Sequence, residues 1–213
     1  MILIGMFDSP FVRRVAVSLN LLDLPFEHRN WSVGKDFELI RQFNPLGRVP
    51  TLVQPDGEAL IDSSAILDFL DEIAGADRAL LPRSGRARRD ALRIVAIALG
   101  AAEKGVLQLY ETAFRPEEKR HEPWLERCRA QVHSGLTELD RLAQVRAGEW
   151  LIGGRLTQAD VTSSCVFTFL CDALELRQAP AMYPALGALS ARCELLPAFR
   201  SVKAKFSVPS RPD

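Results

Sequence analysis

No stretch of this chain approaches the roughly 18 consecutive apolar residues that mark a bilayer-spanning helix, so none is expected. The opening Met1-Ile2-Leu3-Ile4-Gly5 is apolar but has no charged lead-in and no long apolar run behind it. It reads as a first strand rather than a signal peptide. Neither sign of charge is in excess. The 27 Lys plus Arg balance 27 Asp plus Glu, which removes any general pull toward nucleic acid or an anionic membrane. Histidine is scarce (His28, His121, His133). The cysteines Cys128, Cys165, Cys171 and Cys193 form neither C-x-x-C nor a metal-ligand spacing. No metal site is expected, and the cysteines read as buried free thiols in a reducing cytoplasm. Internal repeats and low-complexity tracts are also missing.

What remains is an ordinary globular composition, 47% hydrophobic and 25% charged, over 213 residues. That is enough chain for one or two domains with a sizeable core. Residues 2–6 read as a short strand. Val12, Val15, Ala16, Leu19 and Leu22 then recur at helical spacing. Ser9 stands where a helix N-cap belongs and Pro10 at the first helical position, where its missing N–H costs nothing. Pro25 ends that segment, residues 26–31 alternate like a strand, and 35–43 is a weaker helical stretch. After a turn come strands at 51–54 and 58–61 around Asp56-Gly57. Asp62-Ser63-Ser64 opens a helix with Ile66, Leu67, Leu70 and Ile73 on its apolar face and Gly75 at its end. The order βαβαββα implies a mixed four-stranded sheet.

Asn44-Pro45-Leu46-Gly47-Arg48-Val49-Pro50-Thr51-Leu52 joins these two halves. Pro50 cannot donate to a ladder, so it belongs at a strand's first residue, an edge or a bulge. A cis Val49-Pro50 bond is one way to place it. Such a reversal can leave the N–H and C=O of Val49 facing a cleft, where an extended peptide could pair with both. The same residues also read as a purely structural turn.

Arg78 to Arg86 reads as a linker, and roughly 87–206 as helical. A long helical segment with Leu92, Val95, Ala96, Leu99, Ala102, Val106 and Leu109 on one face and further apolar residues on the other is expected at the centre of a bundle, with Gly100 and Gly105 interrupting it. Close packing or a bound ligand would explain those glycines. A second long helix is expected from Pro116. Leu156-Thr157-Gln158-Ala159-Asp160 forms a capping box for a helix at about 158–175 that is apolar all round. Shorter helices follow Tyr183-Pro184 and Pro197, and 207–213 reads as a frayed tail. Arg83, Arg86, Arg88, Arg89 and Arg93 form the one basic cluster. No aromatics interleave it, so a solvated helix start or salt bridges across a dimer interface suits it better than nucleic acid.

Three landmarks therefore stand in one order: Ser9-Pro10-Phe11-Val12-Arg13-Arg14, Asn44 to Leu52, and Asp62-Ser63-Ser64-Ala65-Ile66. Together with the Leu156–Asp160 box, this resembles a soluble glutathione transferase, and most nearly the bacterial serine-type members with a Ser-Pro-Phe-Val-Arg start. The resemblance implies a thioredoxin-like α/β domain (βαβαββα) over 1–77 and an all-α helical-bundle domain over 87–213. It implies a cytoplasmic homodimeric enzyme that uses glutathione as co-substrate and transfers it to a small, largely apolar electrophile. A non-catalytic binding protein on the same scaffold and a glutathione-dependent isomerase or dehalogenase are the alternatives.

The implied site runs residue by residue. Val49-Pro50 matches the cis-proline turn that pairs with the cysteinyl unit of glutathione. Asp62 and Ser63 match the acidic-Ser pair that holds the γ-glutamyl end, whose ammonium needs an acceptor and whose carboxylate needs donors. Helix N-terminal N–H groups add to the latter. Arg48 and Lys35 are candidates for the glycyl carboxylate. Ser9 is the catalytic candidate, as a hydroxyl donor that favours the thiolate. Its competing role is helix capping alone. Phe7, Phe11, Tyr110 and Phe114 are candidates for the wall of an electrophile pocket between the domains. The chain departs from other branches in having no N-terminal tyrosine, no cysteine at the Ser9 position and no Ser-Ser-Cys start. It also has Asp62 where many relatives carry glutamate.

Overall fold

The computed structural model describes residues 1–146 and 148–208. They form two compact units, one of Met1–Leu80 with Pro197–Lys205, the other of Leu81–Leu196 with Phe206–Val208.

The first unit is built on strands β1 (Ile2–Ile4), β2 (Glu27–Arg29), β3 (Thr51–Val53) and β4 (Ala59–Ile61), in the order β2-β1-β3-β4. β1 pairs parallel with β2 and antiparallel with β3, and β3 and β4 form an antiparallel hairpin. Alternation along each strand sorts the side chains onto two faces. Ile4 and Val53 pack with Ile40 of α2 (Phe37–Arg41), with Trp31, Val33, Phe43 and Val49 around them. Leu3 and Leu52 point the other way, where α1 (Pro10–Leu21) and α3 (Ser63–Ala74) lie against one another. Almost all of α1 is buried, including Val12, Val15, Ala16 and Leu19, the residues whose spacing signals the helix. This is the βαβαββα order read from the sequence, with element ends within a few residues, and the thioredoxin-like α/β domain that the resemblance implies.

The closing helix α9 (Pro197–Arg200) packs on α1. Phe199 is fully buried there. Its carbonyl accepts from Arg13 Nη2 at 3.4 Å, and Asn20 Nδ2 donates to the carbonyl of Ala198 at 3.2 Å.

The second unit is helical. α4 (Gly85–Ala113) is the long central helix, flanked by α5 (Glu122–Gln144) and α6 (Gln158–Ala173). α7 (Ala179–Met182) and α8 (Pro184–Glu194) complete it. Gly105 of α4 sits against Leu170 of α6, and any Cβ there would overlap that side chain. Packing therefore accounts for Gly105. Gly100 faces open space.

The second long helix does not start at Pro116. Glu117–Lys119 make a single 3₁₀ turn, Arg120 is extended, and α5 opens with Pro123 in its first turn. A helix begun at Pro116 would carry Pro123 in its interior, without the N–H that the ladder needs there. The four-residue α7 is an element that sequence periodicity does not announce.

The capping box of α6 forms as expected. Asp160 accepts from the Thr157 N–H at 2.8 Å and also from the Leu151 N–H at 2.7 Å, so it ties the preceding loop to the helix start. Burial pushes its carboxyl up and these donors pull it back. Arg86 pairs with Asp90 and Arg93 with Glu138, so part of the basic cluster is engaged within the chain. Most of the frayed tail expected at 207–213 lies outside the described residues.

Candidate active site

Sheet register alone brings the three landmarks to one place. Ile4 pairs with Thr51, and Thr51 pairs with Ile61, so these residues form one row across β1, β3 and β4. Beyond that row the chain runs from Ile4 into the loop carrying Ser9, arrives at Thr51 from Val49-Pro50, and leaves Ile61 into Asp62-Ser63. A Cβ on Gly5, which has φ +131°, would lie 2.5 Å from Val12 Cγ2 and 2.8 Å from Val49 Cβ. Only glycine lets the loop cross so close to both neighbours.

Ser9 is the N-cap of α1, with extended backbone and Pro10 at the first helical position. Its Oγ accepts from the Val12 N–H at 3.5 Å, the long limit of such a bond. That contact uses a lone pair and leaves the hydroxyl hydrogen available to donate. Capping therefore does not use up the donor that a catalytic role would need.

The Val49-Pro50 bond is cis. Buried Asn44 holds the turn before it. Its Nδ2 donates to the Arg48 carbonyl at 2.8 Å, and its Oδ1 and carbonyl accept from Leu46 and Gly47 N–H groups at 3.0 and 2.8 Å. Thr51 Oγ1 also donates to the Arg48 carbonyl, at 3.3 Å. Among the described residues, no hydrogen bond falls on the N–H or C=O of Val49. The Arg48 and Lys35 side chains are exposed.

Asp62 is the N-cap of α3 with φ +69° and ψ 130°, a positive-φ conformation outside the left-handed helical well. Its Oδ1 accepts from the Ser64 N–H at 2.7 Å, leaving the other oxygen outward on an exposed side chain. Ser63 behind it is buried. Its Oγ accepts from Arg14 Nη1 at 3.0 Å, and Ser64 Oγ lies 3.5 Å from the same nitrogen.

Sequence reasoning gave Arg14 no role. A signal was present, because α1 offers no polar face to solvate an arginine among Val12, Val15, Ala16 and Val17. His28 was also missed. Its Nε2 lies 2.7 Å from the Gly5 carbonyl, and its ring stacks on Phe7 with centroids 3.7 Å apart. It thereby ties the Ser9 loop to β2. Phe7 and Phe11 are half-buried beside Ser9 in this unit. In the second unit the Tyr110 and Phe114 rings meet at a tilt, with centroids 4.9 Å apart.

Residues 3–78 match the family model of the glutathione S-transferase N-terminal domain. The uncharacterised GST-like protein YibF of Escherichia coli K12 is 34% identical over 138 residues, 65% of this chain and 67% of that protein. A crystal structure of a glutathione S-transferase from Methylobacterium radiotolerans in complex with glutathione sulfonate is 32% identical. It superimposes with a TM-score of 0.87 over 100% of this chain and 96% of its own. A "Probable maleylacetoacetate isomerase" of Vibrio cholerae is 28% identical, with 93% of each chain covered.

The chain belongs to the glutathione S-transferase family. In this glutathione transferase the matched segment contains Ser9, Val49-Pro50 and Asp62-Ser63, and Arg14 with them. Among the described residues no group of three or more His, Cys, Asp or Glu could hold a metal ion, and no helix is long and apolar enough to cross a membrane.

Proposed function

We propose that this chain binds glutathione along the row Ile4–Thr51–Ile61 and transfers its thiolate to a small, largely apolar electrophile. One observation carries the reading. The sheet register sets three complementary groups side by side: the Ser9 hydroxyl, the unpaired backbone of Val49 and the Asp62-Ser63 helix start. A tripeptide laid across them finds a backbone partner at Val49 for its cysteinyl unit. Its γ-glutamyl ammonium meets the free oxygen of Asp62. Its γ-glutamyl carboxylate meets the Ser63 hydroxyl and the N-terminus of α3, which carries about half a positive charge. Arg48 serves the glycyl carboxylate.

Ser9 acts on the sulfur. A thiol of pKa about 8.5 is mostly protonated at neutral pH, and the thiolate is the nucleophile. Each unit of downward shift takes about 1.4 kcal/mol of preference for the charged form. One charge-assisted hydrogen bond, about 1.5–3 kcal/mol, is of that size. The thiolate then attacks the electrophilic carbon and the leaving group departs with its electron pair. Phe7 and Phe11 in the first unit supply aromatic surface for that second substrate, and Tyr110 and Phe114 are the candidates in the second. Glutathione is assigned to the domain at 1–77 and the electrophile to the helical region from 87 onward, of which Pro197–Lys205 packs with the first unit. The protein works as a homodimer in the cytoplasm, where its free cysteines stay reduced.

Calorimetric titration with glutathione, followed by conjugation to 1-chloro-2,4-dinitrobenzene, tests the proposal. Saturable binding and turnover are expected. Absence of both overturns it.

A further inference from the structure

We propose that Arg14 is a positioning residue for the γ-glutamyl carboxylate, acting through Ser63 rather than on the ligand itself. This rests on the glutathione reading above. Arginine carries donors only, so at 3.0 Å Ser63 Oγ is the acceptor. Arg14 thereby occupies a lone pair of Ser63 and turns its single hydrogen away from α1. That hydrogen is the donor the carboxylate requires. The guanidinium also reaches Ser64 Oγ at 3.5 Å, so both serines of the α3 start are engaged from behind by one group.

Burial makes this arrangement costly if it serves packing alone. Arg14 is 2% exposed and Ser63 3% exposed. An aliphatic side chain of similar length would fill the space between α1 and α3 without taking a charge out of water. Arginine stays protonated throughout the working pH range, so its charge under the anion site is fixed. It has the same sign as the N-terminal end of the α3 dipole, and both favour a bound carboxylate. Arg14 also lies on the helix that Ser9 caps. One side chain therefore ties the helix behind the sulfur to the helix start that holds the far end of the tripeptide.

The test titrates the wild type, Arg14→Met, Arg14→Lys, Ser63→Ala and the Arg14→Met/Ser63→Ala double variant with two ligands. One is glutathione. The other is γ-aminobutyryl-cysteinyl-glycine, which lacks only the glutamyl α-carboxylate. Circular dichroism confirms folding of each variant. Arg14→Met is expected to weaken glutathione roughly 10–100-fold while changing the affinity of the analogue less than about twofold. KM for glutathione rises by the same factor and kcat at saturation stays, because Ser9 is untouched. Arg14→Lys, which keeps the charge but loses the fixed fork, falls between. The double variant loses no more than the larger single loss, as expected when one acts through the other.

Equal loss for both ligands makes Arg14 a structural residue only and overturns the proposal, as does unchanged glutathione binding. If Arg14→Met does not fold, Arg14→Lys and Ser63→Ala carry the comparison, and wild-type discrimination between the two ligands in both overturns it. A wild type that binds neither ligand removes the glutathione reading and this role with it. Wild-type binding with indifferent variants removes only the role of Arg14.

Discussion

In the proposed site one oxygen of Ser9 serves two purposes with different parts of itself, a lone pair for the helix and a hydrogen for the sulfur. Ser9→Ala removes both. The cap bond is long, so little of the effect should fall on stability. The lost thiolate contact should lower kcat about 10–100-fold, with KM for glutathione changed little. A pH profile should show the bound thiol titrating at higher pH than in the wild type; an unchanged rate would leave Ser9 as a cap and nothing more. The cysteines behave oppositely. Burial pushes the Cys171 thiol up to about 11 and the Cys193 thiol up to about 12. At pH 8 roughly one Cys171 in a thousand is thiolate. Alkylation of the native protein by iodoacetamide should therefore be slow at pH 8, rising with pH, and complete only after unfolding. The folded state holds these protons more tightly than the unfolded chain. Their contribution to stability is present below about pH 8.5 and is lost as pH rises toward 11–12.

At the scale of the element, the periodicity of Val12, Val15, Ala16 and Leu19 and the cap at Ser9-Pro10 are local signals, and α1 was legible from them. So were the α3 start and the α6 box, whose partners lie within a few residues. The start of α5 was misread because Pro116 and Pro123 both resemble helix openers. Only one can be, since a helix from the first would run into the second. The two glycines of α4 show what periodicity omits, namely what stands opposite. Gly100→Ala meets no neighbour and gains helix propensity, so it should raise stability by about 0.5–1 kcal/mol. Gly105→Ala gains the same propensity but drives a methyl into fully buried Leu170, and overpacking costs about 1–3 kcal/mol. It should be net destabilising in urea unfolding. The opposite order of the two midpoints would contradict the packing account.

Across the whole molecule, legibility falls with separation along the chain. The nine residues Asn44 to Leu52 announced a turn and a backbone edge. That this edge meets Ser9 and Asp62 needed the register of three strands. Arg14 reaches Ser63 across 49 positions and His28 reaches Gly5 across 23, and no sequence period reports such pairs. Arg13 reaches Phe199 across 186. Sequence order runs the closing segment on from the helices before it, yet Pro197–Lys205 returns to the first unit. There the fully buried Phe199 covers α1, with the Arg13 guanidinium 5.9 Å from its ring centroid. The unit that carries Ser9 is therefore closed by residues far along the chain from it. Phe199→Ala should cost about 3–5 kcal/mol, a large share of the 5–15 kcal/mol that holds a typical domain. The loss should be local first. In native-state hydrogen exchange the α1 amides should lose protection while those of α6 keep it, and glutathione affinity should fall with α1. Retained α1 protection in Phe199→Ala would mean that the first unit stands without its C-terminal cover.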